Sequence, residues 1–180
     1  MAEPTPTAAA DRFRELMRAY PTGVVAITAT TDRGSHALLV GSFFSVSLQP
    51  VKVGFCVGCR STTWPDIRRA ARFGIDILAA DQEHLGAALA APSPDRLAGV
   101  PWRPSGTGVP VLSGVLAHLE CTPAAEHPAG DHSIVVADVL SIDSLRDQLP
   151  LVFCHRGFYT VAATSIRTGP GDRSCRPSAS

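Results

Sequence analysis

The chain of 180 residues is long enough for one domain with its own hydrophobic core and too short for two domains of ordinary size. Its 16 basic side chains balance its 16 acidic ones, so its charge gives no argument for nucleic acid or an anionic membrane as a partner. No apolar run approaches the roughly 20 residues that a membrane-spanning helix needs, and no secretory signal pattern opens the chain. We therefore expect a cytoplasmic protein that binds neither nucleic acid nor membrane.

The first third of the chain is predicted to form one short helix followed by strands. Apolar residues recur at helical spacing over 11–20, with Asp11 as the N-cap. A β-branched strand is predicted over 23–31, and its hairpin turn at 32–34 leads into a second strand over 36–47. The continuous apolar run over 51–57 is typical of a strand buried on both faces.

The rest of the chain alternates short helices, strands and one long loop. The predicted elements are helices over 65–72 and 81–91, a loop over 92–108, and strands over 73–78, 109–123, 133–142 and 151–162, with 126–132 as the connection between two of these strands. About seven strands without βαβ alternation favour an antiparallel barrel over a doubly wound sheet. Segments 1–10 and 166–180 are predicted to be disordered tails on a single domain over 11–165.

Two neighbouring stretches carry the polar groups that a nucleotide-like cofactor needs. Hydroxyls alternate with apolar residues over 42–47, which would place its serines on one face of a strand. After the next strand, Arg60 supplies positive charge, while the hydroxyls over 61–63 and the amides of the following helix start supply donors for an anion. On the residues alone, ordinary strand hydroxyls and a solvated loop cation remain the alternative.

Five cysteines stand at 56, 59, 121, 154 and 175. Their odd number, in a chain without an export signal, predicts free thiols. Cys56 and Cys59 have the spacing of a zinc or dithiol motif, but no second Cys or His pair has ligand spacing. We therefore expect no metal site.

With these segments placed, the chain resembles the flavin reductase-like family, the small flavin-using partners of two-component monooxygenases. The likeness extends from Phe13 to Ala162 and rests on short motifs that occur in the family's order. They are Pro21-Thr22-Gly23-Val24, Ser42-Phe43-x-Ser45-Val46-Ser47-Leu48-x-Pro50, Ser61-x-Thr63, Leu97-Ala98-Gly99-Val100-x-Trp102, Gly108-x-Pro110-Val111-Leu112, Leu119-Glu120-Cys121, Gly130-Asp131-His132 and Pro150-Leu151-Val152.

The resemblance implies both a fold and an activity. The fold would be mainly β with short α-helices, a split β-barrel of the FMN-binding type, with antiparallel Greek-key strands and usually a homodimer. The activity would be that of an NAD(P)H:flavin oxidoreductase, which passes hydride from NADH or NADPH to FMN or FAD and supplies the reduced flavin to a partner monooxygenase. We expect this flavoprotein to serve natural-product biosynthesis.

Matching the family's motifs position by position implies the site residues. His132 would be the catalytic residue, placed where the nicotinamide stacks on the flavin, with Asp131, Arg156 and Phe158 on the same nicotinamide side. The cofactor-binding residues would be Leu39, Val40, Gly41, Ser42, Ser45, Val46, Ser47, Cys59, Arg60, Ser61, Thr62 and Thr63.

Two positions depart from the family's usual pattern. Leu39 stands where the family has threonine, and Gly41 where it has asparagine or serine. Losing two polar groups from the edge of the flavin would cost about 1 kcal/mol each. A second reading is therefore a repurposed fold without reductase activity, for example a cyclase or a binding protein that acts on an apolar metabolite in the same cleft.

Overall fold

A computed structural model of the chain describes residues 8–93, 95–144 and 146–162. Within these ranges the helices are α1 (Ala8–Arg18), α2 (Trp64–Ile67) and α3 (Glu83–Ala90). The strands are β1 (Thr22–Gly23), β2 (Val25–Thr31), β3 (Gly34–Val40), β4 (Phe44–Leu48), β5 (Val51–Gly58), β6 (Phe73–Ile77), β7 (Trp102–Pro104), β8 (Pro110–Leu112), β9 (Ala117–Ala129), β10 (His132–Ser144), β11 (Leu151–Cys154) and β12 (Gly157–Thr160).

The strands form one large sheet and two small ones. The seven-stranded sheet has the order β3-β2-β6-β9-β10-β5-β4, and every neighbouring pair is antiparallel. The small sheets have the orders β1-β11-β12 and β7-β8. The predicted mainly β, antiparallel fold is confirmed. Among the described helices, none has the length and apolar character needed to cross a membrane.

The seven-stranded sheet is rolled. In a flat sheet, β3 and β5 would lie roughly 24 Å apart, because strands are spaced by about 4.8 Å. Instead Ser42, just after β3, bonds the backbone of β5 directly. Its hydroxyl donates to the carbonyl of Cys56 at 3.2 Å and accepts the Cys56 N–H at 2.8 Å. The inner face therefore encloses a single core, to which six of the strands contribute, with Ile27, Phe55 and Phe73 fully buried in it.

A second apolar layer covers the outer face of the same sheet. Leu85 and Leu89 of α3 and Leu151 of β11 are buried there against the back of β2 and β3. A buried polar pair fixes β8 to this face. Asp76 accepts a hydrogen bond from Nδ1 of His118 at 2.6 Å and another from the backbone N–H of Leu112 at 3.0 Å. Burial raises the pKa of Asp76, and the hydrogen bond from His118 opposes that shift.

Several predicted strands are each two strands in the structure. The strand predicted over 36–47 is interrupted at 41–43, where the hydroxyl of Ser42 is hydrogen-bonded to the backbone of Cys56 in β5. The strand predicted over 109–123 comprises β8 and the first part of β9, separated at Gly114, whose φ is +76°. The strand predicted over 151–162 is the β11–β12 hairpin, with His155 and Arg156 at positive φ in its turn.

Other boundaries also differ from the prediction. The expected connection over 126–132 is mostly strand, because β9 and β10 form a long hairpin that turns only at Gly130 and Asp131. The helix predicted over 65–72 is the single turn α2, whose buried residues are Trp64 and Ile67. Helix α1 begins at Ala8, three residues before the expected cap, so Ala8–Ala10 are helical. The rest of the two predicted tails lies outside the described residues.

The thiol prediction is confirmed for the cysteines that the structure describes. Cys56, Cys59, Cys121 and Cys154 are all free. Cys175 lies outside the described residues.

Candidate functional site

The roll of the sheet leaves a gap between β3 and β5. β3 is one of the two outermost strands of the sheet, and β4, the other, pairs with β5 only as far as Gly54. Past Ser42 the two strand edges face a cavity of about 290 Å³, which we call the edge cleft. It is lined by Leu38, Leu39, Val40, Gly41, Ser42, Cys56, Val57, Gly58, Ser61 and His132.

The two strand edges determine which hydrogen-bonding groups the edge cleft offers to a ligand. Along the described part of the chain, the outer edge of β3 has no strand paired with it, so its amide and carbonyl groups are available to another partner. The side chains that line the cleft are mainly apolar. A planar ring with its own hydrogen-bonding edge matches this combination, because the strand edge can pair with the ring edge while apolar side chains contact its face.

His132 stands at one wall of the edge cleft, at the start of β10 and paired in register with Gly58. Its Nδ1–H donates to Oδ1 of Asp131 at 2.8 Å. A carboxylate only accepts, so the neutral ring keeps its proton on Nδ1 and leaves Nε2 as an acceptor. A Cβ atom on Gly58 would lie 3.8 Å from that Nε2, so the missing side chain leaves the space beside it open. The hydrogen bond from His132 lowers the pKa of Asp131, which is highly exposed.

A second cavity of about 240 Å³, which we call the polar cavity, is lined in part by residues that neighbour those of the edge cleft in the sequence. It continues along β3 toward Ser35 and along the loop after Ser61. Its lining residues are Ser35, His36, Ala37, Thr62, Thr63, Asp66, Ser93 and Arg96. The carboxylate of Asp66 is already engaged by Arg33 and Arg69, each at 3.3 Å.

A third cavity of about 180 Å³, the apolar chamber, lies on the other side of residues 39–41. Its lining residues are Gly23, Val24, Leu39, Val40, Gly41, Ala90, Phe153 and Phe158. Leu39 also packs against the outer apolar layer. A Cβ atom on Gly41 would lie only 2.7 Å from Oγ1 of Thr22. The space that a side chain at position 41 needs is therefore taken by the hydroxyl of Thr22.

The structure gathers about half of the predicted site residues around the edge cleft. Leu39, Val40, Gly41, Ser42, Ser61 and His132 line it, and Asp131 bonds His132. Thr62 and Thr63 line the polar cavity, and Phe158 lines the apolar chamber. His132 and Phe158 thus border the same 39–41 segment from different cavities.

The other predicted residues lie outside these three cavities. Ser45, Val46 and Ser47 are on the edge strand β4, where a register shift between Ser45 and Ser47 interrupts the expected alternation. The hydroxyl of Ser47 accepts the N–H of Gln49. Cys59 donates its backbone N–H to Asp131, and Arg60 follows it in the turn. Arg156 is exposed in the β11–β12 turn.

Many lining residues of the three cavities were not predicted, and those of the edge cleft and Arg96 show why. Leu38, Cys56, Val57 and Gly58 belong to the edge cleft because the sheet rolls, and pairing between β5 and β10 was the only available signal for Gly58. Arg96 belongs to the polar cavity although it is more than 30 residues from Thr63 in the chain. No local pattern connects these two residues.

Comparison with known proteins assigns the architecture to a family. The family model described as "Flavin reductase like domain" matches residues 17–162. The chain is 36% identical, over 149 residues, to the reductase subunit HsaB of a flavin-dependent monooxygenase from Rhodococcus jostii (strain RHA1), covering 83% of this chain and 76% of that protein. It is 40% identical, over 146 residues, to the FMN reductase (NADH) SmoA of Agrobacterium fabrum, covering 81% and 83% of the two chains.

A solved structure agrees. The crystal structure of a nitrilotriacetate monooxygenase component B homologue from Mycobacterium thermoresistibile superposes with a TM-score of 0.84 at 31% identity, over 93% of this chain and 96% of that one. The rolled antiparallel sheet, the cleft at its split and these matches lead to one conclusion: the chain belongs to the flavin reductase-like family.

Proposed function

We propose that this protein is an NAD(P)H-dependent flavin reductase that binds FMN or FAD in the edge cleft and supplies the reduced flavin to a partner monooxygenase. The observation that carries the proposal is the edge of β3 that faces β5 and pairs with no strand in the described ranges, with His132 at one wall of the cleft between them. Bound flavin would supply the hydride acceptor, and the protein would supply position and hydrogen bonds.

Different groups in the edge cleft would bind the flavin ring and the nicotinamide. Backbone groups of Leu39–Gly41 are available to pair with the polar edge of the ring, which suits a site that lacks polar side chains at positions 39 and 41. Nε2 of His132 offers an acceptor for the carboxamide of a nicotinamide, and Asp131 keeps the proton on Nδ1. Hydride transfer needs close stacking more than a strong base, so His132 acts by orientation.

NADH oxidation with added FMN tests this proposal. We expect turnover by the unmodified protein and a rate lowered about tenfold or more in His132→Ala, because one orienting hydrogen bond is lost. His127→Ala is the matched control, since His127 is exposed on the neighbouring strand β9 and lines none of the three cavities. Absence of NADH and NADPH oxidation at every FMN and FAD concentration would refute the reductase and favour the repurposed fold.

We also propose that the protein is a homodimer. Edge strand β4 and the start of β5 expose Phe44, Val46, Leu48 and Val51, with Leu48 79% exposed. An apolar edge strand of this kind is typical of an interface and is otherwise prone to aggregate. Light scattering should give about twice the 18.9 kDa chain mass. Leu48→Glu should shift the mass toward the monomer, and a monomeric wild-type protein would contradict the proposal.

The cellular location is proposed from the state of the cysteines. Four free cysteines in the described ranges suit a reducing compartment, so we propose a cytoplasmic location. Service to natural-product biosynthesis stays a prediction. Labelling of the expressed protein with a membrane-impermeant thiol reagent in intact cells would test the location.

A further inference from the structure

Leu39 and Gly41, the two departures from the family's usual pattern, line two cavities at once. In the edge cleft the proposed flavin site uses only their backbone groups. On the other side of the same strand end, both residues line the apolar chamber. The threonine that the family has at position 39 would add a hydroxyl to this lining, so the departure keeps the chamber free of polar side chains.

The apolar chamber has the composition of a site for an uncharged apolar ligand. Its lining consists of Gly, Ala, Val, Leu and Phe residues, so none of the described side chains around it carries a charge or a hydrogen-bonding group. Phe153 and Phe158 form an edge-to-face pair, with ring centroids 5.4 Å apart and an angle of 62° between the rings. Phe158 is held against α3, where a Cβ atom on Gly86 would lie 2.9 Å from its ring. The aromatic wall is therefore formed before any ligand arrives.

The size of the chamber restricts the ligand to a single ring. Its volume is about 180 Å³, and apolar cavities of about 150 Å³ stay dry and bind benzene. Larger ligands need pockets of roughly 300 Å³ or more, so the fused rings of a flavin do not fit. Ala90 and Phe153 are exposed to solvent, Phe153 to 39%, and a small molecule can enter beside them without opening the core.

The apolar chamber and the edge cleft share one wall, which consists of Leu39, Val40 and Gly41. Pairing with β2 holds this wall on one side and ends at Val40. Within the described ranges no strand pairs with its other edge, which is the edge proposed to bind the flavin ring. A ligand in the chamber packs against the wall from behind and restricts its motion, which lowers the entropic cost of binding a flavin on the other side.

We infer that the apolar chamber binds a small, uncharged aromatic molecule of one ring, and that this ligand tightens flavin binding through the shared wall of residues 39–41. The coupling rests on the proposed reductase function, whereas binding of the aromatic ring does not. By linkage, the flavin and the aromatic molecule must strengthen each other's binding by the same factor. An aromatic metabolite of this class would then control how much flavin the protein holds.

Toluene is the probe for this site, and benzoate, which carries a carboxylate in place of the methyl group, is its matched control. Ligand-observed NMR with the full chain should show saturable toluene binding with a Kd of about 1 mM or lower. Benzoate should not bind, because nothing in the chamber compensates a buried charge. Quenching of FMN fluorescence should show FMN bound about fivefold more tightly in saturating toluene, and saturating FMN should tighten toluene by the same factor.

Substitutions in the lining test where toluene binds. Ala90→Leu fills part of the chamber and should weaken toluene binding by about tenfold or more and remove its effect on FMN. Ala87→Leu makes the same change at an exposed position of α3 that lines none of the three cavities, and it should alter neither quantity. Leu39→Thr should weaken toluene binding by about threefold or more, since a hydroxyl replaces apolar surface.

The measurements on the unmodified chain decide the matter even if a variant does not fold. Absence of saturable toluene binding would overturn the inference. Displacement of toluene by NAD⁺ would show that the chamber belongs to the nicotinamide site, and this would overturn it as well. Toluene that binds without changing the affinity of a bound flavin would refute the coupling. A protein that binds toluene and no flavin would overturn the proposed function and leave the aromatic site in place.

Discussion

The effect of Gly41→Ala on stability should depend on Thr22, because the added methyl group and the Thr22 hydroxyl would occupy the same space. The added Cβ would lie 2.7 Å from Oγ1 of Thr22, 3.5 Å from its Cβ and 3.7 Å from the carbonyl oxygen of Gly23. Only the first contact is a clash, and Thr22 can relieve it by leaving its rotamer at a cost of about 0.5 to 1.5 kcal/mol. Gly41 does not have positive φ, so alanine adds no backbone strain and gains about 0.4 to 1 kcal/mol through the unfolded chain.

The two effects nearly cancel in the single variant, so a double-mutant cycle is needed to separate them. We expect Gly41→Ala to change the free energy of unfolding by less than about 1 kcal/mol in the wild-type background and to stabilise by about 0.5 kcal/mol in a Thr22→Ala background. Urea unfolding of the four proteins measures the coupling, expected near 1 kcal/mol. A coupling below about 0.3 kcal/mol, the ordinary error of additivity, would refute the steric argument. By the same reasoning, Gly41→Ser should tighten FMN binding only when Thr22→Ala accompanies it.

Three further variants test the packing around the site. Gly86→Ala places a Cβ 2.9 Å from the ring of Phe158. The overpacking should cost about 1 to 3 kcal/mol, more than the roughly 1 kcal/mol that alanine gains in helix propensity. Thermal unfolding should therefore show a net loss of stability. Asp76→Asn should lower the free energy of unfolding, measured in urea, by about 3 kcal/mol. Asp76 accepts hydrogen bonds from His118 and Leu112, and one of these donors would then face the N–H₂ group of the asparagine. Burial raises the pKa of Cys121 from 9.0 to about 12, so the unfolded thiol ionises first and stability falls as pH rises above 9 by up to about 1.4 kcal/mol per pH unit. Cys121→Ala should flatten that slope, and an unchanged slope would assign the alkaline loss to other groups.

The sequence predicts those parts of the fold that local patterns control. Strand periodicity predicted the ends of β2, β5 and β6 to within two residues of those in the structure. The Asp32-Arg33-Gly34 turn joins β2 to β3 as expected. The errors occur where a tertiary contact overrides the pattern. Alternation alone could not reveal that the strand over 36–47 breaks at Ser42, because the hydroxyl's partner is the backbone of Cys56, 14 residues away.

The candidate site shows the same division. Motif matches brought together the 39–42 segment, Ser61 and His132, since each is close to a strand end that the rolled sheet collects. Arg96 and Thr63 line the same cavity only because α3 packs on the outer face and the segment after it bonds back to Leu89. A contact of this kind depends on the packing of a whole layer, so no reading of short sequence windows contains it.

The site and the roll of the sheet have a common origin in Ser42. A backbone pairing of β3 with β5 would close the sheet completely and use every edge amide and carbonyl of both strands. Ser42 satisfies the N–H and the carbonyl of one residue, Cys56, with a single side chain, and so joins the strands at one point only. The edge cleft lies beyond that point, between the two strand edges. Ser42→Ala would leave the Cys56 N–H without its partner and loosen the join, so it should cost about 1 to 3 kcal/mol of stability and weaken flavin binding together. Serine replaced by cysteine or threonine, which retain a group at the γ position, should recover part of both. Flavin affinity unchanged in Ser42→Ala, as measured by FMN fluorescence quenching, would separate the join from the cleft and contradict this origin.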